Sequence, residues 1–389
     1  MSERIDPPAN PPVNPPSEGH LVPRAVATRT EMLDPRPAPD MRHGVVGWLR
    51  TRLFNGPVNS VVSLVVLAVL VWGLTPLVQW ALIDADWIGT TRDACSGEGA
   101  CWVFISARFE TIVYGFYPDA ARFRVDITLA LLAALIAWLV IPRLPAKPWV
   151  GAFALVGFPI IAYVLLLGGH FGLAYVPTRE WGGLMLTLTV ATVGIVGSLP
   201  LGVILALGRR SKMPLVKSLS VVFIEFWRGV PLITVLFMAS VMLPLFVPDE
   251  VEFDKLLRAL IGIMFFWSAY MAEVVRGGLQ AIPKGQEEAA KALGLGYWRR
   301  MGLIVLPQAL KLVIPGIVNT FIALFKDTSL VLIIGLFDLL AIIRSGLTDT
   351  NWLGFATEGY VFAALMFWVF CFSMSRYSQV LERKLHRGH

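Results

Sequence analysis

Runs of about 20 consecutive apolar residues recur along this chain of 389, and a run of that length suits little except crossing a lipid bilayer. An α-helix rises about 1.5 Å per residue, so about 20 residues match a hydrocarbon core of ~30 Å. Inside that core each backbone N–H and C=O must find a partner within the protein, which leaves helices for segments of this composition. Apolar residues make up 56% of the chain and charged ones 15%, with a mean hydropathy of +0.68, so a soluble globular fold is excluded. We expect an all-α polytopic membrane protein with about eight spans. They fall near 58–83, 127–141, 149–167, 181–208, 219–246, 256–275, 303–324 and 355–375.

The net charge of +6 reads as topology. Most Lys and Arg fall in the connections on one side of these spans, as the positive-inside rule requires of the cytoplasmic face. No soluble domain gathers them as nucleic-acid binding would need. Both termini are therefore expected in the cytoplasm. Residues 1–45 are rich in proline and nearly free of aromatics, so they read as a disordered tail, or else as a PxxP ligand. The first apolar run begins only near 57, so no amino-terminal secretory signal is expected. Arg42, His43, Trp48, Arg50 and Arg52 make a basic approach suited to anionic membrane lipid. Cys95 and Cys101 share a hydrophilic loop placed outside the membrane, where they are either free thiols or a disulfide.

Between two apolar runs, residues 286–307 read QEEAAKALGLGYWRRMGLIVLP. Glu287 and Glu288 stand about one turn before Lys291, among alanines of high helix propensity. Gly294-Leu295-Gly296 then breaks the helix, and a hydrophobic helix is expected from about Ile304 and Pro307. The spacing Glu288-Ala289-Ala290, three residues, Gly294, nine residues, Ile304, one residue, Leu306-Pro307 resembles the signature loop of ABC importer permeases. WGGLMLTL, FIEFWRGVPL, AYMAEVVRGGLQAIPKGQ and KDTSL resemble the polar amino-acid branch of that family. The long extension and GEGACW (97–102) resemble its general L-amino-acid subfamily in Gram-negative bacteria.

The resemblance implies a five-span permease core at 177–389, preceded by a three-span extension with a periplasmic loop at 46–176. It implies a bacterial inner-membrane location, a second homologous permease chain, two ATPase subunits and a periplasmic amino-acid-binding protein. Glu288, Ala289, Ala290, Gly294, Leu295 and Gly296 would contact an ATPase, and KDTSL would line the pathway.

The chain lacks a G-x-x-x-x-G-K-[ST] phosphate loop, so no cofactor is expected on it and ATP falls to the partner ATPase. Ionisable groups inside spans cost roughly 2.5–3.5 kcal/mol each and need a reason. Glu225 with Arg228, and Glu273 with Arg276, are i, i+3 pairs that either face a pathway or lock helices together. Counted along an upright helix from Lys217, Arg228 falls roughly 16 Å in, near mid-bilayer. Lys326, Asp327, Thr328 and Ser329 offer a cation, an anion and hydroxyls matched to a zwitterion, or else cap the outer interface. Counted from Lys311, Lys326 lies about 22 Å deeper. Asn319 faces the same cavity or bonds a neighbouring helix. No histidine has zinc-site spacing and no hydrolytic pair can be argued, which disfavours a membrane enzyme. One rival is an ion-gradient-coupled carrier using Glu225, Glu273 or Asp327, although no inverted repeat is visible; another is a purely structural subunit beside a partner permease chain that holds the only site.

Overall fold

In the computed structural model, residues 44–141, 143–246 and 253–386 are described; the proline-rich tail lies outside them. The described residues fall into two units, divided between Thr75 and Pro76. In the first, α1 (Val45–Arg52) ends on Arg50 and Arg52. The long apolar helix α2 (Pro57–Val78) starts on a proline, whose missing N–H would have had no helical partner anyway. The Ser63 hydroxyl donates to the Leu53 carbonyl at 2.7 Å and ties α2 to the end of α1.

In the second unit, after Ile83, the hydrophilic 84–125 loop folds around a Cys95–Cys101 disulfide and two short helices, α3 (Val103–Ala107) and α4 (Phe109–Tyr114). Three helices follow: α5 (Arg122–Val140), α6 (Lys147–Ala152) and α7 (Phe158–Leu167), the last two joined through one wide turn into a single span. Next comes α8 (Gly183–Arg209), then α9 (Pro214–Gly229) and α10 (Leu232–Phe237), whose helical path continues to Phe246. α8 packs most extensively against α11 (Lys255–Ala281), whose first turn is capped by Asp254 accepting from the Leu257 N–H at 2.9 Å. After α11 come α12 (Lys284–Ala292), α13 (Tyr297–Arg300), α14 (Leu306–Leu312) and α15 (Ile314–Asp327). A two-residue strand, β1 (Phe337–Asp338), leads into α16 (Leu339–Leu347) and α17 (Ala356–His386).

Lipid chains are as apolar as leucine, so helices in a bilayer are held by close packing rather than by exclusion from water. α8 and α11 show how. Gly202 leaves room for Met271, whose Cβ would lie only 2.7 Å from a Cβ at position 202. Met185, Leu186 and Val190 of α8 are buried with Ile263 and Phe266 of α11 and Leu324 and Phe325 of α15. At one end of this core a second cluster joins Val103, Phe104 and Ile112 of the 84–125 loop to Ile342, Ile343 and Trp352. Cys101 N–H donates to buried Glu358 at 3.3 Å, and Arg108 pairs with Asp349. Loop and core thus share one hydrophobic cluster. Gly183 makes the approach possible: its φ is +63°, and a Cβ there would strike the Ile112 carbonyl oxygen. At the opposite end of α8 a third cluster joins Ala206, Ile224, Met271 and Val275 to Met301 and Val305.

Among the described residues seven helices are long and apolar enough to span, and the eighth expected span is bent. Its halves, Pro214–Gly229 and Leu232–Phe246, meet at 101°. Val230 precedes a proline and takes extended backbone, and Pro231 lacks the N–H that would continue the helix. The depth of Arg228 counted along one upright helix is therefore withdrawn. Several spans are longer than expected, most of all Asp119–Val140 in place of 127–141, Lys255–Ala281 in place of 256–275, and Ala356–Lys384 in place of 355–375. The run at 303–324 is not one helix. The chain breaks at Val313 (φ −105°, ψ 12°), and the span is Ile314–Ile334, so counting depth from Lys311 does not hold.

Candidate functional site

The polar segment after α11 is built by its own sequence. Ile282 is extended ahead of Pro283, which ends α11 and opens α12. Gly294 then stops α12 in the left-handed region at φ +73°. The Gly294 N–H donates to Lys291 O at 2.9 Å and the Leu295 N–H to Ala290 O at 3.1 Å, the pair of bonds that closes a helix on a glycine. Gly296 is extended and caps α13, its carbonyl accepting from Arg300 N–H at 3.0 Å. The following helix therefore starts at Tyr297, ahead of the expected Ile304, and passes through a wide π-type turn, Met301–Val305, into α14.

Glu287 holds this segment to the rest of the protein. Its carboxylate lies 3.4 Å from Arg300, 3.6 Å from Lys291 and 3.7 Å from Arg210 at the end of α8. Sequence alone gives the Lys291 contact, one turn away, but Arg210 and Arg300 reach Glu287 only through the fold. Of the residues assigned to ATPase contact, Glu288, Ala289, Gly294 and Gly296 are exposed. Leu295 is half-buried, and Ala290, at 1% exposure, packs inward. Beside the exposed four, Leu293 and Trp298 stand 78% and 76% exposed, large apolar side chains in water on a loop that is otherwise polar.

Arg209, the neighbour of Arg210, organises a second network. Its Nη1 lies 2.9 Å from Glu225 of α9 and 2.8 Å from Glu273 of α11, and Glu273 also pairs with Arg276 at 2.7 Å. The i, i+3 pair Glu273–Arg276 forms as the spacing suggests. Glu225–Arg228 does not. Glu225 is taken by Arg209 from the facing helix, and Arg228 lies over the Tyr270 ring at 5.7 Å. Two adjacent arginines at one end of α8 thus bind α9, α11 and α12.

The third group sits at the end of α15. Asn319 and Lys326 are both exposed and seven residues apart, two helical turns, so they share a face. Asp327 is half-buried and Thr328 buried. The Thr328 hydroxyl donates to Phe325 O at 2.8 Å and that of Ser329 to Lys326 O at 2.9 Å, so each keeps acceptor capacity but spends its proton locally. Among the described residues no hydrogen bond or ion pair joins this group to Glu225, Arg228 or Glu273.

At the disulfide-bearing end the fold buries Asp338 completely. It caps α16 by accepting from Leu340 and Ala341 N–H at 3.2 and 3.1 Å. Burial pushes its carboxyl up to about 6 against the pull of those N–H groups. Thr187 of α8 accepts from Leu339 N–H at 2.9 Å beside it. Its burial has no sequence signal beyond an aspartate three residues before an alanine in an apolar run.

A family model described as binding-protein-dependent transport system inner membrane component matches residues 198–387. The inner membrane amino-acid ABC transporter permease protein YhdY of Escherichia coli (strain K12) is 56% identical over 360 residues, 91% of this chain and 96% of that protein. The glutamate/glutamine/aspartate/asparagine transport system permease protein BztC of Rhodobacter capsulatus is 41% identical over 430 residues, 93% of this chain and 98% of that protein. A solved amino acid ABC transporter with histidines aligns at 28% identity and a TM-score of 0.46, over 52% of this chain and 92% of that one. Likeness across nearly the whole of YhdY and BztC decides against an ion-gradient carrier. The chain belongs to the ABC transporter permeases, the inner membrane components of binding-protein-dependent transport systems.

Proposed function

We propose that this chain is a permease subunit of an ATP-driven amino-acid importer, and that α12 with its Gly294 turn is where a partner ATPase acts. One observation carries the reading. The loop offers an exposed face of Glu288, Ala289, Leu293 and Gly294, while Glu287 on its inner side is ion-paired to α8 and α13. A partner that moves the exposed face moves α8 and α11 with it, the first through Arg210 and the second through the short 282–283 connection.

In this reading the α12 end and both termini are cytoplasmic, and the disulfide-bearing cap is periplasmic, where a binding protein delivers substrate. ATP is bound and hydrolysed by two partner ATPase subunits, and this chain catalyses nothing. The exposed Asn319–Lys326 face and Asp327 line a pathway shared with a second, homologous permease chain. The amino-acid assignment rests on the names of YhdY and BztC and on the zwitterion-matched Lys326-Asp327 pair.

Proteoliposomes carrying the permease chains and ATPases should take up labelled amino acid only with binding protein outside and ATP within. Uptake that persists without ATP and collapses with an uncoupler overturns the proposal. Asp327→Ala should lower uptake at least tenfold or shift the substrate profile, and an unchanged profile moves the binding groups to the partner permease.

A further inference from the structure

At the α12 end of the second unit a cavity of about 480 Å³ opens between the end of α8, the start of α9, the end of α11 and the start of α12. Five cations line it, Arg209, Arg210, Lys217, Arg276 and Lys284, against a single lining carboxylate, Glu287. Glu225 and Glu273 hold Arg209 and Arg276, and Arg210 shares Glu287 with Lys291 and Arg300. Lys217 and Lys284 have no carboxylate within ion-pair reach among the described residues. The opening turn of α12 forms one wall, and its cap, Pro283, supplies no side-chain acceptor, so the positive end of that helix adds to the field. Val221 and Val305 give the cavity an apolar flank. Two uncompensated lysines, two fixed arginine forks and a helix N-terminus describe a site short of one anion.

We propose that this cavity binds a phosphate-bearing anion, which clamps α12 to the ends of α8, α9 and α11. The inference rests on reading α12 as the coupling helix. Phosphate oxygens accept from several lysine and arginine donors at once, and basic pockets at the ends of membrane helices hold anionic headgroups for the same reason. The shared chemistry is a phosphate group, supplied by an anionic phospholipid at the membrane surface or by free phosphate from the adjoining solution. With the anion in place Lys217 of α9 and Lys284 of α12 share one counter-ion, and α12 moves with the bundle.

The test uses the full transporter, permease chains with their ATPases, purified from membranes and analysed by native mass spectrometry after exchange into a mixture of phosphatidylglycerol and phosphatidylcholine. The wild type should retain phosphatidylglycerol, Lys217→Gln with Lys284→Gln should retain about tenfold less, and the Lys→Arg pair should restore it. A second arm compares thermal unfolding in inorganic phosphate with chloride at equal ionic strength. Stabilisation by phosphate in the wild type but not in the Gln pair, without lipid retention, assigns the site to free phosphate. Retention that ignores headgroup charge, or equal retention and equal phosphate response in the Gln pair, overturns the proposal. If the Gln pair does not fold, Lys217→Gln alone, outside α12, gives the same comparison. Co-purification of the ATPase is read in parallel: its absence from the wild type counts against the coupling reading, while its presence with no anion effect counts against this site alone.

Discussion

Asp338 is fully buried, and the same burial that lets it cap α16 makes its charge costly. Its folded carboxyl titrates near 6 against an ordinary 3.8. Between those values the folded protein holds a proton that the unfolded chain releases, so stability is fullest below 3.8 and is lost as pH rises through 6. Lowering the pH from 7 to 5 should therefore stabilise the purified protein by about 1 kcal/mol. Asp338→Asn keeps an oxygen for the two N–H groups and should flatten that slope; thermal unfolding at pH 5, 6 and 7 reads both, and parallel slopes contradict the assignment. Glu287 works in the opposite sense, as a charge whose partners need it. Glu287→Gln leaves the Arg300 guanidinium, 11% exposed, without its carboxylate, at a cost of about 1–3 kcal/mol. The expected result is several-fold slower uptake with the ATPase still bound, and wild-type uptake would show that the ion cluster transmits nothing.

Among the elements, those governed by local chemistry were legible in the sequence. The 286–307 segment announces a helix, a glycine stop and a second helix because Gly294 alone readily takes φ +73° there, and the spans announce themselves by apolar length. What escaped depends on tertiary geometry. Pro231 marks a weak point in 219–246, but no local rule says whether a proline bends a span by 20° or the observed 101°. Pro315 and Gly316, in the first turn of α15, mark the break at Val313, but an unbroken run of apolar residues around them hides it from a count of span length, and the break shifts the whole Ile314–Ile334 register. Glu225 could be matched to Arg228 by spacing, yet its partner is Arg209, sixteen positions away on a facing helix. The same tertiary logic governs the cap, where the 84–125 loop is seated on α8 through Gly183. Gly183→Ala should clash with the Ile112 carbonyl in a conformation that alanine resists. The loss should be at least about 2 kcal/mol, read as faster proteolysis within the 84–125 loop. Unchanged proteolysis would mean that the loop is not held there.

Within the second unit, a different set of ion pairs lies at each end of α8. Arg209 and Arg210 hold Glu225, Glu273 and Glu287, so α8, α9, α11 and α12 meet in one ionic cluster. The disulfide-bearing cap closes the opposite end of α8. An exposed loop wired to several spans suits a chain whose energy comes from a neighbour, as the proposed function requires. The central claim is that the Gly294 turn is the docking point, and one substitution tests it. Gly294 is exposed, a Cβ there meets nothing within 4 Å, and aspartate tolerates the left-handed region better than most residues. Gly294→Asp should therefore still fold and insert, with a local strain of about 1 kcal/mol in the turn. The measurement is ATPase retained on the purified permease, scored beside amino-acid uptake. Loss of the ATPase together with uptake is the predicted result; full retention with normal uptake would contradict the account.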